Sequence, residues 1–189
     1  EIPEKVTKIS EHAFSNCSGL GGLLKIPDSV EFIGEFAFFN CCGFNGSLAI
    51  PQKVESIGGY AFCGCSGLNG VLSIPNSVKM IDAYTFANCS GLTCELKIPD
   101  SVQIISRNSF SNCVGLFGSL RIPDSVQIIG SYAFQNCGFD GFLFLPNSLT
   151  NIGNDAFSGC SKLTNITLPS QLRTIDYHAF EYCSNLEQI

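Results

Sequence analysis

The sequence predicts an α/β repeat solenoid whose coils carry a parallel β-sheet on one face and short helical or 3₁₀ turns on the other. Three observations predict this fold: a period of 23–24 residues, an alternating apolar segment in each repeat, and a third segment with the apolar spacing of one helical turn. The prolines mark the period, at Pro3, Pro27, Pro51, Pro75, Pro99, Pro123, Pro146 and Pro169. A fixed period of about 20–29 residues is typical of solenoids. We therefore interpret residues 1–189 as a single array of about eight coils and as a fragment of a longer array.

The segment before each proline predicts the strand of the sheet. In Leu24-Lys25-Ile26 an apolar residue stands on either side of a polar one, and successive side chains of a strand point to opposite faces. Leu24 and Ile26 are therefore expected in the core, with Lys25 facing outward. Proline ends the strand because it has no N–H to donate. The polar residue that follows, such as Asp28, suits a turn.

The segment after proline predicts the helical turn. Val or Leu follows the proline by three residues, Ile by six, and Gly, Ser or Asp by seven, and that seventh position suits a bend or a helix N-cap. Phenylalanine follows at eleven residues and cysteine at fourteen in every repeat, as in Phe134 and Cys137. With the preceding alanine, these residues would share one face of a single helical or 3₁₀ turn.

Composition excludes several classes of function. The net charge is −6 and only 14% of the residues are charged, which argues against nucleic-acid binding because phosphate affinity depends on cations. No apolar run reaches the length of about 20 residues that membrane insertion requires. His12 and His178 stand at opposite ends of the array and cannot share a catalytic site. The sequence therefore predicts no enzyme, and it contains no Gly-rich phosphate loop or other cofactor motif.

The eleven cysteines fall into two groups. Eight lie on the repeat lattice and are expected to form a buried ladder of thiols. Stacked side chains point the same way, so they cannot surround a metal ion, and no metal site is predicted. Cys42, Cys63 and Cys94 lie at variable positions and are expected to be exposed.

The outward positions of the strands are where the chain stops repeating. Two residues before proline they read Lys25, Ala49, Ser73, Lys97, Arg121, Phe144 and Thr167; four before, they read Leu23, Ser47, Val71, Glu95, Ser119, Phe142 and Asn165. Exposed aromatic residues beside cations are typical of interface anchors. Lys97, Arg121, Phe142 and Phe144 are therefore the candidate partner-binding residues. The alternative is that the two phenylalanines pack locally and compensate for the shortened turn of the sixth repeat.

A second row follows each proline by nine residues: His12, Phe36, Tyr60, Tyr84, Asn108, Tyr132, Asp155 and His178. Aromatic residues aligned along an edge could bind a polysaccharide. The alternative is that they shield the ends of the short turns. Both interpretations are open at the level of sequence.

The repeat, written IP-SV--IG--AF--CS-L, resembles the BspA-like (treponemal-type) leucine-rich repeat over the whole chain. Ser10, Asp82, Ser106 and Asp176 depart from the consensus glycine, and Thr85 and Ser109 from the alanine. The resemblance implies a leucine-rich-repeat coil in a surface-exposed or secreted microbial protein, with a role in adhesion to host proteins or to other cells.

The leading hypothesis is therefore a non-enzymatic protein-binding module, extracellular or at the cell surface, which presents its strand face to a host or cell-surface protein. One alternative is a structural spacer that holds another domain away from the cell. Another is an intracellular scaffold, which would agree with free thiols at Cys42, Cys63 and Cys94.

Overall fold

The chain winds into about seven stacked turns, and most turns contribute one short strand before the proline and one after it. The structure is a computed structural model, and it describes residues 1–187. The strands that follow each proline form the post-proline row: β1 (Lys8–Ile9), β3 (Phe32–Ile33), β6 (Ser56–Ile57), β8 (Met80–Ile81), β10 (Ile104–Ile105), β12 (Ile128–Ile129), β14 (Asn151–Ile152) and β16 (Thr174–Ile175). The remaining strands form the pre-proline row: β2 (Gly22–Leu23), β4 (Phe44–Asn45), β5 (Leu48–Ala49), β7 (Leu72–Ser73), β9 (Glu95–Lys97), β11 (Phe117–Arg121), β13 (Phe142–Phe144) and β15 (Asn165–Thr167).

All strand pairs are parallel, and most join equivalent positions of neighbouring coils; the exceptions are the pairing of β2 with β4, which is shifted by two residues, and that of Phe117 with Glu95. Ile104 pairs with Ile128 in the post-proline row, and Leu120 pairs with Leu143 in the pre-proline row. The post-proline row consists of a three-stranded and a five-stranded sheet, whereas the pre-proline row consists of two two-stranded sheets and a four-stranded sheet. The predicted parallel solenoid is thus confirmed, but it carries strands on two sides of each coil instead of one.

The predicted helical or 3₁₀ turns, and with them the α/β class, are wrong. Residues 1–187 contain no helix, and the segments predicted as helical are runs of consecutive turns. Alternate N–H groups of these segments donate to carbonyls of the next coil, from His12 to Glu35, Phe14 to Ala37 and Asn16 to Phe39, at 2.9, 2.8 and 2.6 Å. An α-helix needs those N–H groups for its own carbonyls four residues back.

Backbone conformation excludes the helix as well. In the first repeat His12 has φ 55° and Asn16 has φ 60°, and both lie in the left-handed region, which a right-handed helix does not contain. The two equivalent positions are left-handed in every later repeat; the second is asparagine in most repeats, glycine at Gly64 and Gly159, and tyrosine at Tyr182. Each coil therefore reverses through a pair of left-handed residues and stacks by hydrogen bonds between coils.

A continuous column of phenylalanine rings forms the centre of the core. The rings of Phe14, Phe38, Phe62, Phe86, Phe110, Phe134, Phe157 and Phe180 stack in that order, with centroids 5.2–5.7 Å apart. The six inner rings are fully buried. Each stacked pair contributes about 0.5–1.5 kcal/mol beyond the burial of its area. Stability is therefore distributed evenly along the array.

Serine hydroxyls join the coils beside this column. Ser29, Ser77, Ser101, Ser125 and Ser148 each donate to the carbonyl of the valine one coil earlier, at 2.6–2.8 Å. These serines follow proline by two residues, so the recurrent Pro-Asp-Ser-Val segment specifies stacking as well as a turn. Among the described residues, no helix has the length and apolarity needed to cross a membrane.

Candidate binding face

The four candidate residues lie on three neighbouring strands of the pre-proline row. Lys97 ends β9, Arg121 ends β11, and Phe142 and Phe144 are the first and last residues of β13. Arg121 pairs with Lys97 on one side and with Phe144 on the other. The structure thus brings the four residues together on the outward side of one sheet, although they span 48 positions of the sequence.

Strand alternation turns these side chains outward. Leu120 and Leu143, which precede Arg121 and Phe144, are buried in the core. Because successive side chains of a strand point to opposite faces, the residues that flank these leucines are exposed. We call the outward side chains of this row the pre-proline face; they are the two sets of residues located two and four positions before proline.

Phe142 and Phe144 form an exposed aromatic pair. Their side chains are 48% and 44% exposed, and their rings stack with centroids 5.8 Å apart and an angle of 18° between their planes. Each ring covers part of the other, and neither enters the core. About half of each large apolar side chain thus remains available to a partner.

In the shortened sixth repeat, Phe139 takes the position that leucine holds in most other repeats, seven residues before proline. Phe139 is fully buried, and its ring packs edge-on against Phe134 with centroids 6.0 Å apart. Phe142 and Phe144 pack locally in that they stack on each other, yet both remain about half exposed outside the core. Within residues 1–187, the rings of Phe142 and Phe144 stack on each other and on no other aromatic ring.

Lys97 and Arg121 form a pair of like charges in register. Both are exposed, and within residues 1–187 neither takes part in an ion pair; the pairs present there join Lys25 to Glu4 at 3.8 Å and His178 to Glu181 at 3.0 Å. Like charges directly opposite each other destabilise a sheet. The arrangement therefore does not stabilise the fold. A negatively charged group of a partner would offset the repulsion between the two cations.

A third aromatic residue, Phe117, adjoins the site and was not predicted. Phe117 begins β11, pairs with Glu95 and is 45% exposed. The strand is irregular after it, since Gly118 has φ 76° and its N–H donates to the carboxylate of Asp140 at 2.7 Å. Its position in the repeat indicates that it is unusual: six residues before proline, no other repeat has an aromatic residue.

A second exposed apolar group lies on the post-proline row. Met80, Ile104 and Ile128 occupy equivalent positions on β8, β10 and β12 and are 42%, 37% and 44% exposed. We call these three residues the post-proline ridge. The signal in the sequence is an apolar residue five positions past proline in these three repeats, a position for which the repeat pattern makes no prediction.

In the row nine residues past proline, which we call the aromatic row, neighbouring rings stack face to face over the first four coils. His12, Phe36, Tyr60 and Tyr84 stack in order with centroids 4.7, 4.6 and 4.4 Å apart and nearly parallel planes. A polysaccharide packs against exposed ring faces, and the faces that these four rings turn toward one another are covered by the stacking. This favours the interpretation that the rings shield the turns.

The lattice cysteines form the expected buried ladder over most of the array. Cys17 is exposed and Cys183 half-buried at the two ends, and the other six are buried. Burial raises the pKa of the Cys65, Cys113 and Cys160 thiols to about 12.

Two of the three additional cysteines were predicted wrongly. Cys63 and Cys94 are buried, at 5% exposure each, and Cys42 alone is exposed as expected. Cys94 stands five residues before proline, in a column that holds glycine in five repeats and threonine in another. Within residues 1–187 no group of three or more His, Cys, Asp or Glu side chains is arranged to hold a metal ion.

The chain matches the sequence profile of the BspA type leucine-rich repeat region, in six copies, over residues 1–117 and 116–189. Solved structures with the same fold include a leucine-rich repeat protein from Bacteroides ovatus, which is 30% identical over 98% of this chain with a TM-score of 0.77. The leucine-rich repeat protein of T. pallidum is 26% identical over 87% of this chain with a TM-score of 0.62. No curated protein is similar to the chain in sequence.

A leucine-rich cell surface protein from Faecalibacterium prausnitzii shares the fold, at 23% identity over 98% of this chain and 70% of its own, with a TM-score of 0.50. The chain spans 53% of the length of the Bacteroides ovatus protein and 64% of that of the T. pallidum protein. These similarities agree with the repeat, the parallel strands and the register described above.

Proposed function

The chain belongs to the BspA-type leucine-rich repeat family, and on that premise we propose that it is a non-enzymatic protein-binding module. Its pre-proline face is the proposed docking surface, and the partner is a host or cell-surface protein. The proposed location is extracellular or at the cell surface, which is what the resemblance to microbial surface proteins implies.

One observation supports the proposal most strongly: three adjacent strands carry both a pair of like charges and a pair of exposed aromatic rings, and neither pair is favourable for the fold. β9 and β11 oppose two cations that form no ion pair within residues 1–187, although Glu95 is exposed on the same face of β9, and β13 exposes two phenylalanine rings. At the positions equivalent to Arg121, the coils of β5 and β7 have Ala49 and Ser73, which carry neither charge nor large apolar area. The repeat thus tolerates small residues there, so the cation pair and the aromatic pair are not required by the fold.

The composition of the site indicates the chemistry of the partner. Aromatic and arginine side chains contribute a large part of the binding energy at protein interfaces. The exposed rings of Phe142 and Phe144 fit an apolar side chain, and Lys97 and Arg121 fit carboxylates beside it. Because the sheet is formed before binding, little conformational entropy is lost on docking. The proposed partner therefore presents an acidic surface with an apolar centre.

The test compares two triple variants with the parent chain. Arg121→Ser, Phe142→Ser and Phe144→Ser together remove the site, and Met80→Ser, Ile104→Ser and Ile128→Ser remove the post-proline ridge as a matched control of similar exposure. Binding to a panel of purified extracellular host proteins and to intact microbial cells is measured for each. We expect the first variant to lose about 100-fold or more in affinity and the control to bind within about twofold of the parent.

Two outcomes contradict the proposal. Undiminished binding by the first variant removes the function from this site. If only the ridge variant loses binding, the binding site lies on the post-proline row. If the parent chain binds no member of the panel, the structural-spacer hypothesis is the one supported.

A further inference from the structure

Three side chains of the pre-proline face form a line across three strands. Arg121 pairs in register with Lys97 on one side and with Phe144 on the other, and all three side chains are exposed. Neighbouring strands lie about 4.8 Å apart, so Arg121 stands about 4.8 Å from Lys97 along the line and Phe144 about 9.6 Å from it. A partner that contacts all three residues therefore presents two acids and an apolar group at these intervals.

An α-helix matches these intervals, and an extended chain does not. Residues three and seven positions apart on one face of a helix are separated by about 4.5 and 10.5 Å along its axis, which is within about 1 Å of the strand intervals. An extended segment turns every second side chain to one face, so its corresponding distances are about 6.7 and 13 Å, and the mismatch reaches about 4 Å at Phe144. The strand spacing therefore favours a helix whose axis crosses the strands.

The width of the pre-proline face also suits a helix. Its two columns of outward side chains, located two and four residues before proline, are about 6.7 Å apart along each strand. A helix with its side chains is about 10–12 Å wide, so one helix covers both columns. The strands β9, β11, β13 and β15 belong to a single four-stranded sheet, which supports such a helix over four coils.

The two columns differ in charge, and this difference sets the rotation of the helix about its axis. Lys97 and Arg121 stand two residues before proline, whereas Glu95 and Phe142 stand four residues before it. Phe117 pairs with Glu95 and adds a third exposed ring on that side. Glu95 repels an acid placed over its own column. The acids of the helix are therefore directed to the two cations.

Two further acids lie near the cations but leave them unpaired. Asp100 and Asp124 follow Lys97 and Arg121 by three residues, beyond the proline that ends each strand. Within residues 1–187 no ion pair joins these acids to the cations. The two cations are therefore available to acids of another molecule.

We propose that the partner of the pre-proline face docks through an amphipathic helix that lies across β9, β11 and β13. Its acids at positions i and i+3 face Lys97 and Arg121, and its apolar residue at i+7 packs on Phe144 and Phe142. The inference rests on the proposed function, because it names the element that the docking surface receives. Only the helix is ordered on binding, since the sheet is already formed, and a short peptide pays this ordering cost in affinity.

The experiment measures the binding of a fluorescent, alanine-based peptide of 14 residues to the parent chain by anisotropy. The peptide has glutamate at its third and sixth positions and leucine at its tenth, and a lactam crosslink away from these positions holds it helical. We expect a dissociation constant on the order of 100 μM. A matched peptide with glutamate at the fifth and eighth positions carries its acids on the opposite face, and it should bind at least about tenfold more weakly. Equal binding of the two peptides overturns the proposal.

An exchange of charges tests the register. Arg121→Glu should weaken binding by about tenfold or more, and lysine at the sixth position of the peptide should restore it to within about threefold. Lysine at the third position faces Lys97 and should not restore it. The chain with Met80→Ser, Ile104→Ser and Ile128→Ser is the control and should bind the first peptide within about twofold of the parent. Equal restoration by lysine at either position contradicts the register and overturns the proposal.

A further peptide tests the helix itself. Proline in place of two central alanines, without the crosslink, prevents helix formation and should abolish measurable binding. If the proline peptide binds as tightly as the helical one, the partner docks in an extended form and the helix is overturned, while the docking surface stands. Absence of binding by the helical peptide at 1 mM also overturns the helix. The proposed function is judged separately, by whether Arg121→Ser, Phe142→Ser and Phe144→Ser together abolish the binding of protein partners.

Discussion

The lattice cysteines are hydrogen-bond donors as well as small core residues. The thiol of Cys113 donates to the carbonyl of Phe86 at 3.1 Å, and the same carbonyl accepts the N–H of Cys89 at 3.2 Å. The bond recurs in each later coil from Cys41 to Cys183 at 3.0–3.2 Å. Each cysteine thus joins its coil to the previous one, which explains why the column holds cysteine instead of another small apolar residue.

Removal of one such thiol should destabilise the array. Cys113→Ala loses a buried hydrogen bond and leaves a small cavity, so the free energy of unfolding should fall by roughly 1–2 kcal/mol. Cys42→Ala is the matched control, because that thiol is exposed, and it should change stability by less than about 0.5 kcal/mol. Urea unfolding followed by circular dichroism measures both. Equal effects of the two substitutions would contradict the assigned role.

The buried thiols also make stability dependent on pH. The pKa of Cys65, Cys113 and Cys160 is raised by burial from 9.0 to about 12. Between these values the folded chain retains protons that the unfolded chain has lost, so the free energy of unfolding falls as pH rises, by at most about 1.4 kcal/mol per pH unit for each thiol. We expect constant stability from pH 7 to about 8.5 and a steep loss above about pH 9, with a shallower loss in Cys113→Ala. Constant stability to pH 10.5 would contradict this.

The repeat lattice predicts the burial of the inner lattice cysteines. The variable composition of a position did not predict whether its cysteine is exposed. Cys63 lies in a column that also contains Ser111, Ser158 and Ala87, and all four are buried. The column accepts polar and apolar residues because it lies under the turn, where small side chains of either kind fit. Variable composition therefore did not indicate exposure.

At the scale of the element, the turn is set by left-handed residues. Asn112 has φ 61°, and its side chain accepts a hydrogen bond from Asn136 and donates one to Asn88, both at 2.9 Å. Asparagine tolerates left-handed backbone better than most residues do, and its amide adds a second ladder between coils. Gly64 interrupts that ladder without disturbing the turn.

Substitution of Asn112 separates the two contributions. Asn112→Gly keeps the left-handed conformation and loses the amide bonds, whereas Asn112→Ala loses the bonds and also strains the backbone. We expect losses of roughly 0.5–1 kcal/mol for glycine, since the ladder is exposed, and about 1–2 kcal/mol more for alanine. Urea denaturation of both variants is the measurement. If alanine were as stable as glycine, the left-handed turn would not be what shapes this segment.

If Lys97 and Arg121 serve binding, replacing one cation should stabilise the fold while weakening the binding of a partner to β9 and β11. Arg121→Glu places opposite charges in register with Lys97, so it should raise the free energy of unfolding by roughly 0.2–1 kcal/mol. Arg121→Lys keeps the like-charge pair and should leave stability unchanged within error. The thermal midpoint at low salt checks both variants. A destabilised Arg121→Glu chain would mean that Arg121 serves the fold.

The strands could be predicted from the sequence, and the turns could not. Alternation around Leu24, Lys25 and Ile26 indicates a strand directly, because only a strand has a period of two. The spacing of Ala133, Phe134 and Cys137 suits a helical turn and also consecutive turns that stack on the next coil. Hydrogen bonding between coils decides between them, and it is a property of neighbouring repeats that no single repeat displays. The recurrent Asn or Gly two residues after phenylalanine was the signal for left-handed backbone.

At the scale of the whole molecule, the repeated residues maintain the fold and the variable ones distinguish the coils. The phenylalanine column, the cysteine bonds and the serine bonds recur along the array. Lys97, Arg121, Phe142 and Phe144 depart from the repeat, and the sequence predicted that they lie together because repeats stack in register. The burial of Phe139 follows from its place at the consensus leucine position, whereas the exposure of Phe117 depends on one irregular strand, which the consensus does not describe.

The proposed docking of a partner on the pre-proline face is tested most directly by site-specific photocrosslinking. A photoreactive benzoylphenylalanine replaces Phe142 in one variant and Ile128 in another, and each is irradiated with the same mixture of purified extracellular proteins. Both positions are similarly exposed but lie on different strand rows. The account predicts an adduct with one protein from position 142, suppressed by excess parent chain and absent from position 128. Equal adducts from both positions, or an adduct from position 128 alone, would contradict it.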